Sequence, residues 1–246
     1  GTSKFTANPE AIMTRIESLT HGKEAFFYAS SRALERAAYY GIRALIVIYM
    51  IGETLSLDRY EALEVYAWFT TLMIFSQVMG GVIGDLVVGN KKALILGAVL
   101  QAAGAFVLCV PSSVGLYAGL ALVVLGGGLY SPNVIANFGK LYLNKKKLLD
   151  AAFALDYLAV NIGAFLGILL IGYYGEEYGW NMGFAMAGMI MLASIIPIIS
   201  AGEGDKEEPS DSGFSMSQRV LNIVIPILLV AFFWLAYELS STRFSE

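Results

Sequence analysis

The sequence predicts an all-α membrane protein, a helical bundle with about seven transmembrane helices. Three observations carry that expectation: overall hydrophobicity, seven apolar blocks of bilayer length, and basic residues that favour alternate connecting loops. Of the 246 residues, 57% are hydrophobic and only 15% are charged, with a mean hydropathy of +0.65. A soluble domain is about half apolar and about a quarter charged. Here the apolar excess comes in blocks near the ~20 helical residues that span a hydrocarbon core. A lipid bilayer is therefore the expected solvent.

The blocks run over 25–52, 61–84, 92–110, 114–139, 149–173, 180–200 and 218–241. The first follows a polar lead-in, 1–24, and holds most of the intramembrane charge. The second, fourth and fifth contain Gly80, Gly81, Gly126, Gly127, Gly128, Pro132, Gly163 and Gly167. Such residues are costly in soluble helices but suit close packing or bending between membrane helices. The sixth is apolar almost throughout. Before the seventh lies AGEGDKEEPSDSGFSMSQ, an acidic stretch with Gly, Ser and Pro that reads as a linker. The predicted organisation is thus a cytoplasmic lead-in (1–24), a six-helix bundle (25–200), a cytoplasmic linker (201–216) and the first helix of a second bundle (217–246). The rest of that bundle is expected to be missing.

Orientation follows from the basic residues, which favour cytoplasmic loops. The lead-in carries Lys4, Arg15 and Lys23, and the second loop Lys91 and Lys92. The fourth carries Lys140, Lys145, Lys146 and Lys147, and the sixth Lys206 and Arg219. Arg59 and Arg243 stand on the opposite side. A multi-pass protein with a cytoplasmic N-terminus is expected, in a cell membrane of the bacterial inner-membrane type.

Several classes are set aside. The net charge of −4 and the lack of a basic stripe argue against nucleic acid. The single cysteine, Cys109, cannot form an intrachain disulfide, and with the single histidine, His21, in the polar lead-in there is no metal-ligand spacing. No nucleophile triad or phosphate-binding glycine loop points to an enzyme. No metal or cofactor is expected.

Charge inside the membrane is expensive and marks a pathway or binding site. In the first block Arg32, Glu35, Arg36, Tyr39, Tyr40 and Arg43 recur at helical steps, so most share one stripe. One carboxylate among three guanidinium groups is cationic and calls for an acid from another helix or for an anionic ligand. Glu238 in the seventh block is the first candidate acid, Asp156 the second and Asp85 the third. The alternative for Arg32 and Glu35 is that they snorkel to the headgroups and anchor the helix. Tyrosines and amides, including Tyr28, Tyr66, Tyr130, Asn133, Tyr157 and Asn161, could line a site for a small zwitterion or anion.

These residues form motifs. ALERAAYYGIRALIVIY resembles the E-x-x-E-R-F-x-Y-Y-G signature of the first helix of proton-coupled oligopeptide transporters, a branch of the major facilitator superfamily. MGGVIGDLVVGNKKALILGAVL is similar to that family's G-G-x-x-A-D segment, and GGGLYSPNVIANFG to its G-x-G-x-x-K-P-N stretch. LDYLAVNIGAFLG resembles Y-x-x-I-N-x-G, and FFWLAYELSST resembles F-W-x-x-x-E-Q. The five motifs are collinear from about residue 20 to the end.

The resemblance implies a twelve-to-fourteen-helix transporter of the major facilitator type, working by alternating access between two six-helix halves. It implies substrate binding by Arg36, Tyr40, Arg43, Tyr130, Asn133 and Asn161, and proton coupling by Arg32, Glu35, Arg36 and Glu238. Two positions depart from the pattern: Arg32 replaces the first glutamate, and Ser131 replaces the lysine before Pro-Asn. Together Arg32, Glu35, Arg36 and Ser131 keep one net positive charge where the family pattern is neutral. The helix 7 glutamine is also replaced, by Leu239.

The expected function is secondary active, proton-coupled uptake of di- or tripeptides or a related small zwitterionic or anionic solute, with protons as the coupling ion. The alternative is a transporter-derived subunit of a larger complex that no longer couples peptide to protons. Expected partners are the solute, the lipid bilayer, and a missing C-terminal bundle or another membrane chain.

Overall fold

The structure is a computed structural model and describes residues 22–143 and 145–201. All regular structure among the described residues is helical. The elements are α1 (Lys23–Ile51), α2 (Arg59–Ile83), a π-helical turn (Gly84–Val88), α3 (Asn90–Val107) and α4 (Ser113–Lys140). A 3-10 turn (Lys146–Leu148), α5 (Leu149–Tyr178), α6 (Trp180–Ala193) and α7 (Ile195–Ser200) follow. The seventh expected block, 218–241, lies outside the described residues, as do the lead-in to residue 21 and most of the linker.

Local chemistry sets the helix ends. The Asp58 carboxylate accepts from the Tyr60 amide at 2.9 Å and caps α2, and the Ser112 hydroxyl accepts from the Gly115 amide at 3.0 Å and caps α4. Both satisfy amides that a first helical turn leaves without carbonyl partners. Gly89 (φ 89°) precedes α3 and Gly179 (φ 101°) separates α5 from α6. An L side chain rarely adopts such angles, so glycine permits both sharp reversals. Thus α5 continues through Glu176 and Glu177 to Tyr178, five residues past the end expected from hydropathy. The sixth block is interrupted at Ser194, one turn before Pro197. Proline has no amide hydrogen and its ring crowds the carbonyl four residues earlier, here Ala193.

Among the described residues, five stretches are long and apolar enough to cross a membrane: Arg59–Val88, Asn90–Leu108, Ser113–Lys140, Lys146–Tyr178 and Trp180–Ser200. The 29-residue α1 is long enough but carries Arg32, Glu35, Arg36 and Arg43. It survives as a membrane helix because protein surrounds it: α1 packs on α2, α4, α5, α6 and α7. The α1–α5 contact is made by small residues. A Cβ on Gly163 or Gly167 would strike the carbonyl oxygen of Ala33 or Ala37, so the two backbones touch directly.

Two buried apolar clusters fill the ends of the bundle. One includes Tyr49, Phe69, Leu108, Leu116 and Phe184. The other gathers Tyr28, Leu94, Phe138, Tyr142 and Ile198. At this second end Lys91 Nζ donates to the Ala201 carbonyl at 2.8 Å, and Lys140 Nζ donates to Asn90 Oδ1 at 2.8 Å. The basic connections therefore gather at one end of the bundle. Trp68 and Phe75 on α2, and Phe165 and Leu169 on α5, leave broad apolar surface exposed.

Candidate functional site

The site begins with helix geometry. Arg32, Glu35, Arg36 and Tyr39 fall three and four residues apart, so they form one ridge of α1. That ridge meets α4 where Tyr130 and Ser131 precede Pro132, and meets α5 near Asp156. Glu35 is wholly buried, and Arg32 and Arg36 are each 8% exposed. Burial of this depth removes the snorkelling alternative for Arg32 and Glu35.

Within the ridge Arg36 grips Glu35 through two parallel bonds, Nε to Oε2 and Nη2 to Oε1, each 2.6 Å. This two-pronged, charge-assisted arrangement is the strong form of a carboxylate–guanidinium pair. Arg36 Nη2 also donates to Ser131 Oγ at 3.2 Å, and Arg32 Nη1 reaches the same oxygen at 3.3 Å. Two guanidinium groups from α1 therefore converge on the one hydroxyl of α4 that replaces the expected lysine. A lysine there would place a third cation against them; serine offers an acceptor instead. Beside it, Ser31 Oγ and Tyr130 OH share a 2.7 Å hydrogen bond that ties α1 to α4 again.

One turn onward the ridge changes character. The Arg36 guanidinium lies 4.6 Å from the Tyr39 ring centre. Arg43 is surrounded by aromatic rings: its guanidinium carbon is 5.7 Å from the Tyr39 ring centre and 5.5 Å from those of Tyr40 and Tyr66. Its Nε donates to the Tyr66 hydroxyl of α2 at 2.9 Å. Ring faces hold a cation without neutralising it, so Arg43 retains its charge for an anion. In chemical terms, the ridge offers a closed ion pair at Glu35–Arg36 and, about two turns along, an arginine held by tyrosines.

Not every expected residue joins this ridge. Tyr40 stands beside Arg43, and Tyr130 beside Ser31. Asn133 is wholly buried and faces elsewhere: its Nδ2 donates to the Gly80 and Leu129 carbonyls at 2.9 and 2.7 Å. Its Oδ1 accepts from Asn90 Nδ2 at 2.8 Å. Here Asn133 joins α2, α3 and α4, and Gly84 makes room for it. Asn161 is exposed on α5 and its amide turns back to the Tyr157 carbonyl at 2.7 Å. Glu238 lies outside the described residues. Of the other candidate acids, Asp156 stands 3.9 Å from Arg32, whereas Asp85 accepts from Asn90 at 2.7 Å instead. Sequence reading missed Ser31. Its signal was position, one turn before Glu35 on the charged face.

The profile of the Major Facilitator Superfamily matches residues 29–244. The chain belongs to the major facilitator superfamily. Among superfamily relatives, an uncharacterized transporter of Bacillus subtilis, YclF, is 30% identical over 72% of this chain and 37% of its own length. A dipeptide and tripeptide permease A of Pectobacterium carotovorum is 27% identical over 97% of this chain and 49% of its own. A crystal structure of the peptide transporter POT in complex with sulfate superposes with a TM-score of 0.71, at 30% identity, over 86% of this chain and 46% of that one. A POT family transporter in complex with 5-aminolevulinic acid gives 0.69 at 26% identity, over 87% and 47%. The branch of the superfamily is thus that of the proton-coupled oligopeptide transporters, as the motifs implied. The chain spans half or less of the length of these relatives.

Proposed function

We propose that the protein is a secondary active transporter that takes up di- or tripeptides, or related small zwitterionic or anionic solutes, together with protons. The observation that carries this reading is the buried Glu35–Arg36 pair anchored on Ser131 at the α1–α4 contact. A pair so deep has no evident anchoring use, and intramembrane ion pairs are typical of substrate and proton pathways. The permease and POT relatives support the substrate class.

In this reading Arg36, Tyr40, Arg43 and Tyr130 contribute to the substrate site, with Asn161 completing it across α5. Asn133 serves it indirectly by fixing α4. Arg43, ringed by tyrosines, receives the substrate carboxylate. Arg32, Glu35 and Arg36 form the proton-linked network on α1. The resemblance assigns Glu238 the remaining role: it alternates between holding a proton and pairing with an arginine, because protonation weakens an acid's hold on a cation. The two states then favour different openings of the cavity. The protein works in a bacterial inner membrane with its N-terminus in the cytoplasm and needs a second helical bundle to complete the cavity.

The test is accumulation of a labelled dipeptide by the full-length protein in liposomes, with and without an inward proton gradient. Accumulation above the equilibrium level only with the gradient is expected. Equal filling in both conditions, or none, overturns the reading, and the second outcome is what a non-transporting subunit would give.

A further inference from the structure

At the junction of α1, α4 and α5 two arginines meet two carboxylates, although the motif residues alone leave an excess positive charge. The balancing group is Asp156, on α5. Glu35 is committed to Arg36 through both oxygens, and its Oε2 lies 4.0 Å from Arg32 Nη1, beyond hydrogen-bonding range. Arg32 therefore has no acid of its own on α1. Its Nη1 donates to Ser131, while its buried Nε has no hydrogen-bond partner and lies 3.9 Å from Asp156 Oδ1. The two side chains are 9% and 16% exposed, so water screens them poorly. A buried guanidinium without a counter-charge is strongly unfavourable.

We propose that Asp156 is a positioning residue, the counter-ion of Arg32, and that this pair ties α5 to α1 as Ser131 ties α4 to α1. The arginine that replaces the first acid of the signature is thereby accommodated by an acid on a different helix. Closing the 3.9 Å separation to a charge-assisted hydrogen bond of about 2.8 Å takes roughly 1 Å of movement. Gly163 and Gly167 on the same face of α5 already bring the two backbones into contact, so side-chain rotation of Asp156 and Arg32, not helix approach, would supply that movement. Asp156 acts on transport through Arg32, so the transport part of this inference rests on the function proposed above; the pairing itself does not.

Two measurements on the full-length protein test it: thermal unfolding in detergent and dipeptide uptake by liposomes. The variants are Arg32→Gln, Asp156→Asn, the two combined, and Asp156→Glu. Each neutralising single change should lower the unfolding temperature and cut uptake by about tenfold or more, since it strands one buried charge. The combined variant should regain most of both losses, and Asp156→Glu should retain uptake with a changed KM rather than a lost kcat. Additive losses in the combined variant, or an Asp156→Asn protein that matches the parent, overturn the proposal. If a neutralised single variant does not fold, a folded and active combined variant supports the pair, and failure of both overturns it. Should the parent protein take up no dipeptide, the transport reading fails while the unfolding comparison still decides the pairing.

Discussion

Both oxygens of Glu35 are held by Arg36 and the side chain is wholly buried, so neutralising it strands a guanidinium inside the bundle. Glu35→Gln should destabilise the protein by about 3–5 kcal/mol, the usual cost of breaking a buried pair on one side only. It should also depress both proton-driven uptake and substrate exchange, measured in parallel with unfolding in detergent. Arg43 behaves differently because Tyr66 holds it by hydrogen bond rather than by charge. Tyr66→Phe should leave folding intact and weaken dipeptide binding by about 1 kcal/mol, roughly a fivefold rise in KM. An unchanged KM would remove Tyr66 from the site. The charged stripe itself was legible, since helical spacing alone puts Arg32, Glu35 and Arg36 on one face. The direction of Asn133 was not, because a motif gives a residue's position and not which of two neighbouring helices its amide will satisfy.

Helix α5 depends on its glycines where it touches α1. Gly163→Val should cost about 1–3 kcal/mol by forcing the backbones of Gly163 and Ala33 apart. Gly172, in the same helix, has open space where a β-carbon would stand, with nothing within 4 Å, and Gly172→Ala should be neutral or slightly stabilising. Unfolding temperatures of the two variants check this; equal losses would mean that contact with α1 is not what the glycines provide. Helix existence was legible from block length and hydropathy, and the starts of α4 and α6 fall within a residue of expectation. Two ends were not. Polar residues carry α5 on to Gly179, where backbone geometry stops it, and Pro197 divides the sixth block without lowering its hydropathy.

At the scale of the whole molecule, the basic connections gather at one end, where Lys91 meets Ala201 and Lys140 meets Asn90. If that end is cytoplasmic, a cysteine placed at Ser113 in a background lacking Cys109 should react with an impermeant maleimide added to intact cells, and one at Lys92 should not. The reverse pattern would invert the topology. The superfamily and six of the seven expected helical blocks were legible because lipid forces long apolar helices and the motifs are collinear. The pairing of α1 with α5 through Asp156 was only one of three possibilities, because the sequence does not reveal which acid folds against Arg32. Co-transport of peptide and protons is the step on which the proposed function turns. It is tested most directly by adding external dipeptide to liposomes that hold the full-length protein and a pH-sensitive dye, with no pH gradient imposed. Acidification of the interior that follows the dipeptide gradient and disappears in Glu238→Gln is expected; dipeptide entry without acidification would rule out co-transport.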